Sequence, residues 1–481
     1  MEDTYASILK AYLYSAVISS GPWLLSIFCL SFLGILSPIL LQENNWTSAR
    51  WEVFAATIVY IFAFSLVLTG MITMIITRYV ADKIYLDEQQ AIPSAYVSVL
   101  AITIVFQGVT GAALFAFSGE GVLYAVSATT LYITVSCIWI SLIFLSASEN
   151  YKLITTMFFV GSLVSLGAAI LAGQYFGLGG FLSGYTLGQV VIFIGFSYVI
   201  LGEFGSPDGF HLDFLSYCKD YYELVLIGVL YYVAVWADKF IFWFSSQGTQ
   251  IQGIFYSFPA YDTPLFLAYV SIVPALTIFL LNIETDFYGE YRAFYEFVMA
   301  KKPYGIIHEK KLNMKAVLQR SLMDLLKVQG LVTFLTIYFA PEILSGLSVT
   351  EDLSIQVFRY AVLGAFFHAY VLIITIILLY YNLRKDTLII TGVFAGTNIL
   401  FTWISTHLGA YSYGAGYTAS SLISFVISYF YLRRRLGELE YLTFVTQPIV
   451  GKRDDSPELL ARPGGGYGEY VNLEKARASV R

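Results

Sequence analysis

The sequence predicts an all-α integral membrane protein with twelve transmembrane helices in two six-helix halves. Three observations predict this fold: the composition, the number of long apolar stretches and the distribution of charge between the loops. Of 481 residues, 58% are hydrophobic and 12% are charged, and the mean hydropathy is +0.70. A soluble domain is about 45–50% apolar and about 25% charged. The composition therefore excludes a soluble enzyme, a nucleic-acid-binding protein and a disordered chain, and lipid must surround most of the chain.

The apolar stretches give the number of helices. A helix that crosses a bilayer needs about 20 mostly apolar residues, whereas a transmembrane strand needs about 9–11 alternating ones. The stretches here are continuous and long, so helices are predicted. Their approximate bounds are 12–36, 53–77, 94–117, 122–146, 153–173, 179–201, 224–246, 258–283, 328–348, 359–382, 387–406 and 411–432.

The basic residues test this count, because Lys and Arg accumulate on the cytoplasmic side of membrane proteins. With the N-terminus in the cytoplasm, the cytoplasmic loops and helix ends before the C-terminal tail hold 18 basic residues. The outer loops hold only Arg50 and Arg359. One missed or additional helix would invert the later loops and destroy this asymmetry. Twelve helices with both chain ends in the cytoplasm are therefore predicted.

The long loops predict the domain organisation. Residues 203–223 carry mixed charge and predict a cytoplasmic linker between an N-terminal bundle, 1–202, and a C-terminal bundle, 224–439. Residues 284–327 mix apolar and charged side chains at helical spacing, which predicts an amphipathic cytoplasmic helix on the membrane surface. Residues 440–481 are polar and predict a disordered cytoplasmic tail. The outer loops are too short for an extracellular catalytic domain.

Two motifs at helix positions predict mechanical features. Gly21 and Pro22 lie inside helix one, where proline removes a backbone hydrogen bond, so a bend is expected there. The bend could serve a moving transporter or be a static kink. Arg78, Asp82 and Lys83 end helix two at the cytoplasmic face. They are either interfacial anchors or parts of a cytoplasmic gate.

Three charges fall inside the predicted membrane-spanning helices. Asp238 and Lys239 lie in helix seven and Asp262 at the start of helix eight. At 1.5 Å per residue, both aspartates lie about 6–14 Å below the outer surface. Since sequence neighbours do not face one another on a helix, we expect Lys239 to reach Asp262 or another acidic group. Charges inside a membrane are costly, so the three residues either form a packing ion pair or line a hydrated substrate path.

The sequence predicts no catalytic, metal or cofactor site. The three cysteines lie far apart and have no metal-ligand or disulfide spacing. No nucleotide-binding loop, dinucleotide motif or Ser/His/Asp arrangement is found, and His368 in helix ten is interpreted as a core histidine. Any energy must therefore come from an ion gradient or from a partner protein.

Four stretches carry a resemblance to a known family: Ala11 to Trp23, Ala237 to Phe240, Asp262 to Tyr269 and Leu281 to Phe287. They resemble the inner-membrane transporter family of the bacterial Pel exopolysaccharide system, over roughly residues 5–440. That family is similar to the multidrug/oligosaccharidyl-lipid/polysaccharide exporter (MOP) superfamily. The resemblance implies two six-helix bundles around a central cavity, transport of a polysaccharide across the bacterial inner membrane during biofilm matrix production, and no enzymatic activity.

The resemblance also implies partners and a substrate. It places the chain beside a cytosolic glycosyltransferase and membrane partners of the Pel system. The polymer is amino-sugar-rich and cationic, so Asp238 and Asp262 would attract it weakly. Relatives usually carry a basic amphipathic stretch before helix one, and the tail beyond Glu440 looks longer than theirs. Two alternatives stay open: a cation-coupled multidrug antiporter, and a membrane scaffold that docks a polysaccharide synthase through residues 284–327.

Overall fold

The computed structural model describes residues 5–41, 46–147, 151–347 and 349–445, and nearly all of them are helical. The chain forms two compact units, residues 20–258 and residues 259–445, and residues 5–19 group with the second unit. Eleven helices in the described part are long and apolar enough to cross a membrane. One of these is 54 residues long and contains two of the predicted spans, while the count of twelve stays a prediction.

The first unit contains most of seven helices and one β-hairpin. Their apolar side chains form two buried clusters, one built around Phe54 and Phe181 and the other around Tyr96 and Phe144. The elements are α1 (Tyr5–Leu40), α2 (Ser48–Tyr85), α3 (Ala91–Phe115), α4 (Val122–Ala147), α5 (Tyr151–Phe204), α6 (Phe214–Asp220), α7 (Tyr222–Trp243), β1 (Thr249–Gln252) and β2 (Phe255–Ser257).

Helix α5 is a tightly packed helical hairpin. Its backbone leaves the helical conformation at Gly177, where φ is 61° and ψ is −143°, a combination that suits glycine. Gly180, Gly184 and Gly188 recur every fourth residue and let the two arms approach closely. A Cβ atom on Gly184 would lie 2.2 Å from the carbonyl oxygen of Ala168 on the other arm. Glycine at these positions therefore makes the close contact possible, because it has no side chain.

Helices α2 and α7 also cross at glycines. A Cβ atom on Gly228 would lie 2.0 Å from the carbonyl oxygen of Gly70. The β-hairpin after α7 is attached to α2, because the Tyr60 hydroxyl donates to the Tyr256 carbonyl (3.1 Å) and accepts from its N–H (2.9 Å). The compact units thus separate after residue 258. The seam predicted at 203–223 between six-helix bundles stays a prediction.

The second unit is built from shorter helical pieces around a third buried cluster that includes Phe287, Met314 and Ile377. Its elements are α8 (Pro259–Val270), α9 (Val273–Ile278), a π-helix (Phe279–Phe287), α10 (Tyr288–Met299), α11 (Tyr304–Tyr338), α12 (Ala340–Gly346), α13 (Asp352–Tyr380), α14 (Arg384–Leu408), a 3₁₀ turn (Ala410–Ser412), α15 (Ala415–Gly437) and α16 (Leu439–Val445).

The predicted span 258–283 is interrupted between α8 and α9. Pro274 lacks an N–H group, so the helical hydrogen-bond pattern fails there. The side-chain amide of Gln329 takes its place: its Nε2 donates to the Ser271 carbonyl (2.7 Å) and its Oε1 accepts from the Ala275 N–H (3.1 Å). In a regular helix these two backbone groups would bond to each other. A buried side chain from α11 therefore provides the hydrogen-bond partners for the backbone groups at the break.

Side-chain hydrogen bonds join α14 and α15 as well. The hydroxyls of Thr397 and Ser420 lie 2.8 Å apart, and Ser420 also donates to the Phe394 carbonyl (3.1 Å). The bidentate ion pair of Arg435 with Asp386 (2.6 and 2.9 Å) closes one end of this helix pair. These contacts hold the two helices by polar atoms as well as by apolar packing.

The segment 284–327 contains the end of the π-helix, α10 and the first part of α11. Its position on the membrane surface stays a prediction. Helix α16 lies against α11 through Glu440, whose carboxylate is 2.7 Å from His308 Nδ1 and 3.1 Å from Lys311 Nζ. The first residues of the tail predicted from residue 440 belong to α16, and residues 446–481 lie outside the described part of the chain.

Candidate functional site in helix α7

The two charges inside α7 form an ion pair with each other. Lys239 Nζ lies 3.3 Å from Asp238 Oδ1 and donates a further hydrogen bond to the Val235 carbonyl (3.0 Å). The expectation that neighbouring side chains would not meet is therefore wrong. Side chains on a helix lean toward its N-terminus, so the long lysine chain reaches back past Asp238 toward the preceding turn.

The ion pair is buried, and buried charges in a protein need a physical explanation. Asp238 is 0% exposed and Lys239 is 8% exposed. Two buried charges cost desolvation free energy that their attraction barely offsets, and removing one partner of a buried pair is strongly destabilising. The ammonium also lies 5.3 Å from the centre of the Trp236 ring, a cation–π contact. The pair is thus fixed against an aromatic side chain.

Aromatic side chains at helical spacing continue from this ion pair along α7. Trp236, Phe240 and Trp243 recur at i, i+4 and i+7 and share one side of the helix. Phe240 stacks on Phe64 of α2 (centroids 5.3 Å apart) and on Trp236 (6.3 Å), and Trp243 stacks on Tyr60 (4.8 Å). Trp236, Phe240 and Phe64 remain partly exposed. We call these three half-buried rings the aromatic face.

The spacing of the aromatic residues of α7 indicates part of the aromatic face in the sequence itself. The i, i+4, i+7 spacing is visible in the residue string, but aromatic residues in a membrane protein face lipid by default. The partner on α2 could not be read from the sequence, because it depends on the glycine crossing at Gly70. The structure adds Phe64, a residue without charge or motif.

Asp262 lies in the first turn of α8, in the second compact unit. Its side chain is half-buried, and α8 is held by α13, where Ser354 donates to the Ala260 carbonyl (3.3 Å). The expected pairing of Lys239 with Asp262 stays a prediction. The ion pair described above joins Lys239 to Asp238.

The charged end of α2 is more buried than an interfacial anchor needs to be. Arg78 is 7% exposed, forms an ion pair with Asp82 (3.1 Å) and lies 5.5 Å from the centre of the Tyr221 ring. Lys83 pairs with Glu88 in the turn that follows α2. Arg78 therefore fixes the end of α2 against the start of α7. The gate function of Arg78, Asp82 and Lys83 stays a prediction.

Gly21 and Pro22 lie in the middle of α1, which the backbone hydrogen-bond pattern assigns as one helix from Tyr5 to Leu40. Ser26 donates to the Pro22 carbonyl (3.2 Å), one turn later. The helix is thus uninterrupted at this motif, and the bend stays a prediction.

His368 is a buried, hydrogen-bonded histidine, in line with its interpretation from the sequence. Its Nδ1 lies 3.0 Å from the Tyr417 hydroxyl, and its ring packs 4.9 Å from that of Phe394. These contacts join α13, α14 and α15 inside the second unit. They explain its burial without a proton-relay function.

Solved structures with the same fold define the class of protein. A MATE transporter in the bent conformation has a TM-score of 0.61 at 12% identity, covering 90% of this chain and 96% of that chain. The Vibrio cholerae MATE transporter VcmN in the bent form gives 0.60 at 12% identity, covering 91% and 98%. A MOP superfamily transporter from Pyrococcus furiosus gives 0.58 at 13% identity, covering 89% and 96%. The chain therefore has the all-helical membrane fold of MATE and MOP superfamily transporters.

The family is narrower than this class. Residues 1–444 match the PelG family, described as "Putative exopolysaccharide Exporter (EPS-E)", and the chain belongs to that family. This confirms the resemblance seen in the four sequence motifs. The comparison with curated proteins finds no match.

Proposed function

We propose that this chain moves an exopolysaccharide across the bacterial cytoplasmic membrane during production of a biofilm matrix. The observation that carries the proposal is the PelG match over residues 1–444 in a chain that has a transporter fold. The sequence holds no nucleotide-binding loop, so an ion gradient or a partner protein supplies the energy. The chain itself acts as a transporter and not as an enzyme.

The orientation in the membrane follows from the distribution of basic residues. The 18-to-2 bias between the two sides supports a cytoplasmic location for both chain ends. The partners are then a cytosolic glycosyltransferase, which delivers the polymer, and membrane proteins of the Pel system.

The aromatic face supports a polysaccharide as the transported molecule. Flat rings offer broad apolar contact to the C–H face of a sugar, and they tolerate sliding because the contact is non-directional. The ion pair of Asp238 and Lys239 adjoins this face and fixes Trp236. We assign the aromatic face to the wall of the polymer path.

The buried ion pair argues against the multidrug antiporter. Such an antiporter needs a lone carboxylate that binds and releases a proton or a cation. Asp238 is not such a lone carboxylate, because its Oδ1 lies 3.3 Å from Lys239 Nζ in an ion pair.

Complementation in a bacterium that makes the polymer tests the proposal. Deletion of the chain should abolish secreted polymer, measured with an amino-sugar-specific lectin on intact cells. The wild-type gene should restore it. Trp236→Ala should reduce secretion several-fold at normal protein level, because the ring next to the ion pair is lost. Phe244→Ala, at the exposed end of α7, is the matched control and should secrete normally. Undiminished secretion after deletion would contradict the proposal.

The scaffold alternative has its own test. Lys301 and Lys302 are exposed in the segment 284–327, whereas Lys311 is buried against Glu440 and is unsuitable for a charge-removal experiment. The Lys301→Gln/Lys302→Gln variant should export normally if the chain is a transporter. Loss of glycosyltransferase recruitment to the membrane, with normal insertion of the variant, would favour the scaffold.

A further inference from the structure

The second unit contains a charged cavity that the proposed function does not use. Its volume is about 610 Å³, and it lies between the π-helix, α10 and α11. Its lining includes the carboxylates of Asp286 on the π-helix, Glu290 on α10 and Asp324 on α11, and the cations of Arg320 and Lys327 on α11. π-Helical turns are rare and occur frequently at functional sites. The wall of the cavity thus combines a rare backbone conformation with side chains of both charges.

Some of these charges are already paired and others are not. Lys327 lies 3.1 Å from Asp324, and Glu290 lies 3.6 Å from Lys310. Within the described residues, Asp286 and Arg320 form no ion pair. The cavity therefore offers an unpaired carboxylate and an unpaired guanidinium, and suits a ligand that carries both a cation and an anion.

The cavity lies where two apolar segments end. In the sequence, residues 263–283 carry no charge and Glu284 ends this apolar stretch, while Lys327 is the last charged residue of α11 before its apolar part begins at Val328. Asn282 and Val328 both line the cavity. Such a position corresponds to the boundary between hydrocarbon and headgroups.

An exposed apolar face continues from the cavity along α11. Val328, Leu331, Leu335 and Tyr338 are exposed and follow one another at three- and four-residue spacing. They share one side of the helix and start at the cavity wall. A charged cavity that continues into an apolar face matches a headgroup with its acyl chains.

We propose that this cavity binds the headgroup of a zwitterionic aminophospholipid. Arg320 and Lys327 hold the phosphate, where a guanidinium offers a planar pair of donors. Asp286 and Glu290 accept hydrogen bonds from the primary ammonium. The acyl chains lie along the apolar face that begins at Val328. This site fixes the π-helix and α11 at the membrane boundary.

Lipid retention by the purified full-length protein tests the proposal. After delipidation in detergent, phosphatidylethanolamine, phosphatidylcholine and phosphatidylglycerol with identical acyl chains are added in equal amounts, and retained lipid is counted by native mass spectrometry. Phosphatidylethanolamine should be retained about tenfold better than phosphatidylcholine, whose quaternary ammonium has no N–H, and better than phosphatidylglycerol, which has no cation.

Two variants test the contacts to the phosphate and to the ammonium of the headgroup separately. Arg320→Gln should lower phosphatidylethanolamine retention about tenfold, and Asp286→Asn should abolish the preference over phosphatidylcholine. Lys315→Gln, on the same helix but outside the cavity, is the matched control and should change neither. Equal retention of the three lipids, or equal behaviour of Arg320→Gln and Lys315→Gln, would overturn the proposal. Displacement of the lipid by millimolar inorganic phosphate would also overturn it, in favour of a soluble phosphate site.

Discussion

Two contacts, one in each compact unit, hold their helices together by different means. In residues 20–258 glycines make close contacts at the crossing of Gly70 with Gly228 and along the arms of α5. In residues 259–445 the side-chain amide of Gln329 makes hydrogen bonds to the break between α8 and α9. Both kinds of contact occur in both units, but a glycine contact depends on the absence of side-chain atoms, whereas the Gln329 contact depends on polar atoms that are present.

The difference reflects the solvent. Between helices in lipid, burial of apolar surface gives little driving force, so close van der Waals contact and hydrogen bonds must hold the helices. A glycine contact fails when an atom is added, and a hydrogen-bonded contact fails when a polar atom is removed. Opposite kinds of substitution should therefore damage these two kinds of contact. The ion pair in α7 belongs to neither kind, and it should give the largest effect.

Asp238→Asn should cost about 3–5 kcal/mol of stability, because Lys239 then stays charged and buried without the Asp238 carboxylate. The thermal unfolding midpoint of the purified protein in detergent measures this loss. The double variant Asp238→Asn/Lys239→Gln removes both charges and should recover most of the stability.

The double variant also separates the two interpretations of the ion pair. If the pair only fixes packing, the recovered protein should secrete polymer normally. If the pair belongs to the polymer path, the recovered protein should be stable but inactive in secretion. If Asp238→Asn were as stable as the double variant, the ion pair would contribute little to the stability of the protein.

Gly184→Ala should cost about 3 kcal/mol, the upper part of the range for overpacking, because the new methyl group meets backbone and not a flexible side chain. Gly167→Ala on the same hairpin is the control, since nothing lies within 4 Å of a Cβ atom there. Its stability should stay the same or rise slightly, as alanine favours helix. Equal unfolding midpoints for the two variants would refute glycine packing in the first unit.

Gln329→Leu should cost about 2 kcal/mol, because the Ala275 N–H and the Ser271 carbonyl lose their partner while they remain buried. Gln319→Leu, at an exposed position of the same helix, is the control. Hydrogen exchange of the Ala275 amide should accelerate in the first variant only. Unchanged exchange would mean that the break between α8 and α9 is satisfied in another way.

Glu440 should give the smallest effect, at most about 1 kcal/mol, because water screens this partly exposed cluster. Burial raises the pKa of Glu440, but the hydrogen bonds from His308 and Lys311 outweigh burial and hold the pKa below its ordinary value of 4.5. A lowered carboxyl pKa gives stability above the unfolded-state pKa, and this stability is lost as the pH falls through the folded-state pKa.

The test compares wild type with Glu440→Gln from pH 7 down to pH 3. Wild type should be the more stable at pH 7, and the difference should close as the pH falls below 4.5. A difference that persists at pH 3 would rule out the carboxylate as its source.

Composition and hydropathy were sufficient for the fold class, because the bilayer requires long helices and charges only at their ends. The bounds of α3, α4 and α13 lie close to the predicted spans for this reason. The predicted spans 153–173 and 179–201 also bracket the turn at Gly177, although no polar loop marks it. The break at Ser271 was harder to place, because it depends on a glutamine from a distant helix.

The candidate site was predictable only in part. Asp238 and Lys239 were found because charge inside an apolar helix is conspicuous. Their mutual pairing was not, because it depends on how the lysine chain turns along the helix. Phe64 and the cavity around Arg320 could not be found, since both combine residues from elements far apart in sequence.

The turn at Gly177 has a consequence for biosynthesis. Residues 153–202 contain no charged side chain, and the structure joins the two arms of α5 without a loop. During membrane insertion the first arm has no hydrophilic segment to hold it in place until the second arm emerges from the ribosome. We therefore expect the two arms to insert into the lipid together, as one helical hairpin. Reporter tags and protease sites belong in the loop 205–213 and never at this turn.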